Sequence, residues 1–178
     1  MDAKVMDSLQ NLQDGNNGAV CLGGKYLTFF LSEEEYGIEI LKVHEIIGQH
    51  PITRVPQTQK YLKGVINLRG KVIPIVDARL KFGMAAVEDT NETCIIVVNI
   101  RGTEVGIVVD RVSEVVDISN EDTEPAPSFG TGCNTDYILG IGKVQNRVMI
   151  LLNIDRVLLA SELTHFEDLA VGTEKITA

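Results

Sequence analysis

Three histidines, three cysteines and one run of three glutamates are the side chains of this 178-residue chain that could do acid–base, nucleophilic or metal chemistry. Their spacing suits none of it. His44, His50 and His165 stand in no pair with the spacing of a metal site on a helix or in a hairpin. Cys21, Cys94 and Cys133 contain no C-x-x-C pair and are odd in number, which fits a reducing compartment better than a disulfide framework. A Ser/His/Asp or Cys/His triad would need distant residues with no sequence signature. Glu33-Glu34-Glu35 reads as a solvated hairpin tip before it reads as paired acid–base carboxylates, and Gly140-Ile141-Gly142 lies inside strand-like text rather than at the start of a helix. No catalytic residue, metal ligand or cofactor is therefore expected. The directional chemistry that remains is Arg69, whose planar five-donor fork suits a carboxylate.

The elements that must position Arg69 occur twice. Tyr36-Gly37-Ile38-Glu39-Ile40 through Lys42-Val43-His44-Glu45-Ile46-Ile47 recurs, 69 residues on, as Val105-Gly106-Ile107-Val108-Val109 through Arg111-Val112-Ser113-Glu114-Val115-Val116. Gly64 to Asp77 recurs, 76 residues on, as Gly140 to Asn153. Self-similarity at this period means two copies of one unit, packed together because neither buries enough surface alone. From Lys25 onward, short Val/Ile/Leu/Phe runs are broken by Gly, Pro, Asn and Asp, as in antiparallel barrels and sandwiches. Hairpins are expected around Ser32 to Glu35 and Arg101 to Thr103. A helical turn or two is expected at Thr58 to Leu62, and short helices after the N-caps Asp77 and Asn153. Residues 1–24 read as a polar arm, Ser119 to Thr135 as an acidic, Pro-rich loop, and Ser161 to Leu169 as a terminal amphipathic helix.

Departures between the copies carry the functional signal. Asn67-Leu68-Arg69-Gly70 is a tight turn with Gly70 at positive φ; its counterpart Lys143-Val144-Gln145-Asn146 keeps the turn through Asn146 and loses the charge. Arg69 is then either a solvated turn residue or the reader of an acidic partner. Glu45 is its intramolecular candidate, yet Glu114 repeats Glu45 without a matching Arg, so the fold does not require the pair. His44 matches Ser113, as an exposed strand residue would. Pro74 has Ile150 as its counterpart and suggests an edge strand or a bulge. Ile40, Val43, Ile46, Val65 and Val108 exceed what a small barrel interior needs, so they form either a seam between the copies or an exposed groove. The net charge of −9 argues against nucleic acid and anionic lipid as partners. No apolar run approaches the ~20 residues of a membrane span, and the start lacks a basic segment followed by an apolar one. A cytoplasmic protein is expected.

The runs Tyr36 to Ile46 and Lys63 to Asp77, with Val105 to Asp110 and Tyr137 to Gly142, resemble the CheW family of bacterial chemotaxis coupling proteins across Lys25 to Leu159. The resemblance implies two SH3-like five-stranded β-barrels related by a pseudo-twofold, sharing a hydrophobic core, with a few short helices. It places a CheW-like domain at residues 25–160, built from repeats near 26–83 and 92–160, between a flexible arm at 1–24 and a tail at 161–178. It implies an adaptor with no catalytic activity and two partners, the regulatory domain of the histidine kinase CheA and the cytoplasmic tips of methyl-accepting chemoreceptors. By matching position it points to Val43, Glu45, Gly64, Arg69, Gly106 and Val108, with Ile40 beside them, and to a Glu45–Arg69 ion pair. The length leaves no room for a receiver or kinase domain, which favours a stand-alone coupler. Two other readings stay open: a coupler in a chemosensory-like pathway that does not control swimming, and a β-barrel binder of small ligands using the inter-barrel groove.

Overall fold

The computed structural model describes residues 22–56, 59–125 and 137–158. The polar arm before residue 22, Thr58, the loop around Cys133 and the helix expected at 161–169 lie outside them. Alternating apolar runs give strands β1 (Gly24–Leu31), β2 (Glu34–Glu39), β3 (Val43–Ile47), β4 (Leu62–Leu68), β5 (Lys71–Asp77), β6 (Cys94–Ile100), β7 (Thr103–Val109), β8 (Arg111–Ile118), β9 (Thr123–Pro125), β10 (Ile138–Val144) and β11 (Arg147–Leu152). Two single-turn helices, α1 (Ala78–Lys81) and α2 (Ile154–Val157), follow β5 and β11. Asp77 caps α1 by accepting from the Arg79 and Leu80 amides, and Asn153 caps α2 by accepting from the Asp155 amide, as their types predict.

The strands form two sheets, ordered β3-β6-β7-β5-β4 and β8-β1-β2-β11-β10-β9. Each sheet takes strands from both repeats. The hairpin β1–β2 of the first repeat joins the strands that close the second, and the hairpin β6–β7 of the second joins β3, β4 and β5 of the first. Both exchanges end in a parallel pair, β2 with β11 and β5 with β7. The chain passes between sheets through a 3-10 turn at Ile40–Lys42 and again through Asp110. The second sheet carries a sixth strand, β9, whose counterpart in the first is a lone bridge between Thr53 and Val65.

Three apolar clusters follow from this arrangement. The largest lies between the sheets, with Leu27, Phe29, Leu31 and Ile38 from one hairpin against Ile96, Val98, Val105 and Ile107 from the other. The inner face of the first barrel holds Ile66, Ile73, Ile75, Ile95, Val97 and Val108. That of the second holds Tyr26, Val116, Ile118, Met149 and Leu151. These are the two barrels and the shared core expected from the resemblance. A column of stacked rings, Phe29, Tyr36, Phe82 and Tyr137, runs along the shared core with centroids 5.0–5.9 Å apart. Burial, with Glu34 as a second cause, pushes the Tyr36 phenol up to about 12.

Three expectations are corrected. Pro74 is on no edge: β5 lies between β4 and β7, and the parallel ladder begins at Ile75, one residue past the missing donor. The register irregularity falls on β4 instead, between Leu62 and Gly64. Lys60 and Tyr61 form a turn rather than a helix, with the Leu62 amide bonded to the Gln59 carbonyl at 3.0 Å. The first hairpin tip is shorter than Ser32 to Glu35, because Glu34 and Glu35 already belong to β2 and Glu35 is buried.

Candidate partner-binding site

Arg69 and Gly70 occupy a two-residue turn in which both have positive φ, 54° and 83°. Hairpins favour this turn because its twist matches that of the flanking strands. Asn67 holds it by accepting the Gly70 amide at 2.9 Å. The same device recurs in Asn99-Ile100-Arg101-Gly102, where Asn99 accepts the Gly102 amide at 2.8 Å. Gln145 and Asn146 adopt the left-handed pair in the second copy, at 49° and 65°. The turn is thus kept where the charge is lost.

Arg69 donates to the Glu45 carboxylate at 3.1 Å. Glu45 lies on β3 and Arg69 on the β4–β5 turn, at opposite edges of the first sheet, so the pair links those edges. Lys71 and His44 approach Glu104 at 3.9 and 3.7 Å beside it. In the second copy the equivalents of Glu45 and Glu104 are Glu114 and Glu35, and a single residue serves both. Arg147, at the position of Lys71, donates to Glu114 at 2.6 Å and lies 3.4 Å from Glu35. The hydrogen bond that Arg147 donates to Glu114 raises the Arg147 pKa above its ordinary value. Glu114 therefore does have an arginine, which overturns the expectation that it lacks one. Comparison at fixed offset missed it because Arg147 sits two residues from the position of Arg69.

The copies differ in how the cation is used. The Arg69 side chain is 75% exposed and makes one hydrogen bond to one carboxylate, whereas Arg147 is 37% exposed and is shared between two. Arg69 keeps most of its donor fork directed to solvent.

The glycines serve the backbone. A Cβ on Gly64, at φ +148°, would stand 2.1 Å from the Thr53 carbonyl oxygen; one on Gly140 would stand 2.4 Å from that of Glu124. Gly106 and Gly37 repeat the pattern, facing Ile75 and Leu151 of the parallel neighbour strand. A close approach found at the same position in both copies belongs to the fold. Val108 is buried under the first barrel's inner cluster and lines an open groove of about 540 Å³ with Gln49, His50, Ile52, Lys63 and Ile95. Ile40 and Val43 are half-buried against the shared core, while Leu41 between them is 92% exposed. Sequence reasoning passed over Leu41, although its counterpart Asp110 marks one more departure between the copies.

Asp110 is held by Arg79, whose Nε donates at 2.7 Å while Nη2 reaches the second carboxylate oxygen. Ser32 adds its amide at 2.7 Å. The Arg79 hydrogen bond lowers the Asp110 pKa against the opposing effect of burial. Lys42 and Asp155 pair at 2.8 Å. Among the described residues no His, Cys, Asp or Glu group could hold a metal ion. The enclosed space between the barrels, near Phe29, Ile38 and Leu152, is about 10 Å³, too small for an ordinary ligand and marginal even for one water. No described helix is long and apolar enough to cross a membrane.

Comparison with known proteins adds the last observation. A sequence model described as the CheW-like domain matches residues 25–162. The chain is 42% identical over 149 residues to the chemotaxis protein CheW of Klebsiella aerogenes, covering 84% of this chain and 90% of that one. It is 36% identical over 137 residues to CheW of Bacillus subtilis, covering 76% and 87%. The crystal structure of the scaffolding protein TtCheW from Thermoanaerobacter tengcongensis superposes with a TM-score of 0.72 at 34% identity, covering 80% of this chain and 97% of that one.

Proposed function

The chain belongs to the CheW-like domain family, and from that premise we propose that this chemotaxis scaffold couples methyl-accepting chemoreceptors to the histidine kinase CheA. In this reading it acts in the cytoplasm without turnover, binding the kinase's regulatory domain and the receptors' cytoplasmic tips, and is recruited through them to receptor arrays. The single observation that supports the site is the unequal use of the two arginines. A fold that needs a cation between two carboxylates is satisfied by Arg147 alone in the second barrel, so the exposed fork of Arg69 is available to a partner. A guanidinium offering several donors is a common anchor at protein interfaces.

Around that anchor, Glu45 orients the guanidinium, and Ile40 and Val43 set the apolar seam beside it. Gly64, Gly106 and Val108 act indirectly, by fixing the strands that carry this surface. Contacts of this size are weak singly and act together through effective concentration in an array. Calorimetric titration of the full chain, separately with the CheA regulatory domain and with a soluble chemoreceptor signalling fragment, tests the reading. Saturable binding of both supports it. Binding of neither, at low and at moderate salt, refutes it.

A further inference from the structure

The turn that carries Arg69 has a duplicate in the same barrel. Asn99-Ile100-Arg101-Gly102 joins β6 to β7 as Asn67-Leu68-Arg69-Gly70 joins β4 to β5. The hairpin β6–β7 belongs to the second repeat but lies in the first sheet, where β7 runs parallel to β5. Both turns therefore stand at the same end of the first barrel. Lys71, just past the first turn, comes within 3.9 Å of Glu104, just past the second.

In both turns the arginine itself has positive φ, 54° and 51°. A residue with a Cβ is disfavoured there, and Asn or Gly meets the demand with less strain. The second barrel adopts the same conformation at the matching positions, with Ser32 at 59° and Gln145 at 49°. The backbone thus asks for no arginine, yet the first barrel has one in each turn and the second barrel in neither. Arg69 gives one hydrogen bond to Glu45. Arg101 is exposed, and among the described residues its side chain has no ion pair or hydrogen bond.

Charge divides in the same way. At this end of the first barrel Arg69 and Lys71 are 75% and 73% exposed, whereas Glu45 and Glu104 are 21% exposed, so the cations, with Arg101, face solvent. The matching positions of the second barrel carry Glu33, Glu34, Glu35 and Glu114 around a single cation, Arg147. Like charges gathered at one end repel each other, and the second barrel folds without them.

We propose that Arg69 and Arg101 form a two-armed cationic clamp that takes one acidic protein face, with Lys71 beside them. The clamp rests on the reading of Arg69 as a partner's anchor and adds a second arm to it. Its ligand is a face presenting two carboxylates, one for each planar fork. Both arms stand on tight turns of one sheet, so the spacing of their backbones is set before binding.

The test is calorimetric titration of the full chain with the CheA regulatory domain and with the soluble receptor fragment, at low and at moderate salt. Wild type is compared with Arg69→Gln, Arg101→Asn and Lys60→Asn. Arg101→Asn removes the cation while suiting the turn, so it is expected to melt at or above wild type and yet to weaken, by about tenfold, whichever partner Arg69→Gln weakens. Its remaining binding should respond less to salt than that of wild type. Lys60→Asn, which removes an exposed charge elsewhere on the chain, should bind like wild type. The proposal is overturned if Arg101→Asn binds both partners like wild type, if it weakens only a partner that Arg69→Gln leaves intact, or if Lys60→Asn has an equal effect. A lowered melting temperature also overturns it, because Arg101 would then be structural. Should wild type bind neither partner, the coupling reading fails and the clamp with it; should wild type bind and Arg101→Asn match it, the clamp alone fails.

Discussion

Replacing Arg69 by glutamate separates a partner-reading arginine from a fold-holding one, with Arg147→Gln as the internal standard. The Arg69–Glu45 pair is a surface pair whose arginine is 75% exposed, so its removal is expected to cost below about 1 kcal/mol. Repulsion between the introduced carboxylate and Glu45 is of the same small order in water. Together these reach about 2 kcal/mol at most, which in a chain of this size lowers the melting temperature by up to roughly 4–8 °C, and Arg69→Gln, free of the repulsion, by roughly 2–4 °C at most. Arg147→Gln leaves Glu35, whose side chain is 5% exposed, with a weaker partner. Loss of a charge-assisted bond to a buried group is worth about 1–3 kcal/mol, or roughly 3–10 °C. Partner affinity should show the reverse order. An arginine anchor is worth about 2 kcal/mol, so Arg69→Glu should weaken binding of at least one partner by roughly 30-fold while Arg147→Gln leaves it near wild type. Melting followed by circular dichroism, with calorimetric titration against the CheA regulatory domain and a receptor fragment, gives both readouts. The reasoning is refuted if Arg69→Gln melts as low as Arg147→Gln, or if Arg69→Glu binds both partners like wild type.

Three further outcomes follow from the geometry. Gly64→Ala and Gly140→Ala should each cost about 1–3 kcal/mol or more in denaturant unfolding, because the added methyl meets a carbonyl oxygen; a Gly64→Ala protein that is fully stable but fails to bind would instead make Gly64 a contact residue. Asp110→Asn should destabilise at neutral pH, and its gap from wild type should close on acidification. The depressed Asp110 pKa means the pair's contribution is present above the ordinary carboxylate value, about 4, and is lost as pH falls through the lower folded value; a gap that persists in acid would assign the effect to packing. Leu41→Asp should leave stability within about 0.5 kcal/mol, since the side chain is 92% exposed, and a larger loss in thermal melting would show hidden contacts.

How legible this molecule is in its sequence depends on whether a feature is local. Both N-caps and the Arg69-Gly70 turn are written in residue types a few positions apart, the doubled unit in whole motifs that recur 69 and 76 residues on, and all are in the structure. The hairpin exchange is not local: pairing β2 with β11 or with β5 satisfies the same backbone groups, and what separates them is the reach of the short crossings at Ile40–Lys42 and Asp110, which residue types do not announce. Pro74 misleads for a related reason, since a proline inside a sheet is tolerated where a parallel ladder has yet to begin. The Glu45–Arg69 pair was foreseeable from its turn. The Arg147 bridge was hidden by a shift of two residues within one hairpin, and Glu35 by its place beside two exposed glutamates. Asn99 to Gly102, echoing Asn67 to Gly70, stood in plain view as a third copy of the turn.

The passages of the chain between sheets, three residues at Ile40–Lys42 and one at Asp110, also limit how the molecule can move. Two barrels joined by a linker would form a hinge, and an adaptor with a hinge could respond by opening. Here two short crossings and one continuous core join the barrels, so pulling them apart would strain Ile40–Lys42 and Asp110 together and expose Leu27, Phe29, Ile96 and Val98 to water. The pair has no soft degree of freedom between its halves. A displacement of one barrel against the other therefore has to open that apolar core, so the two barrels are expected to move as one body.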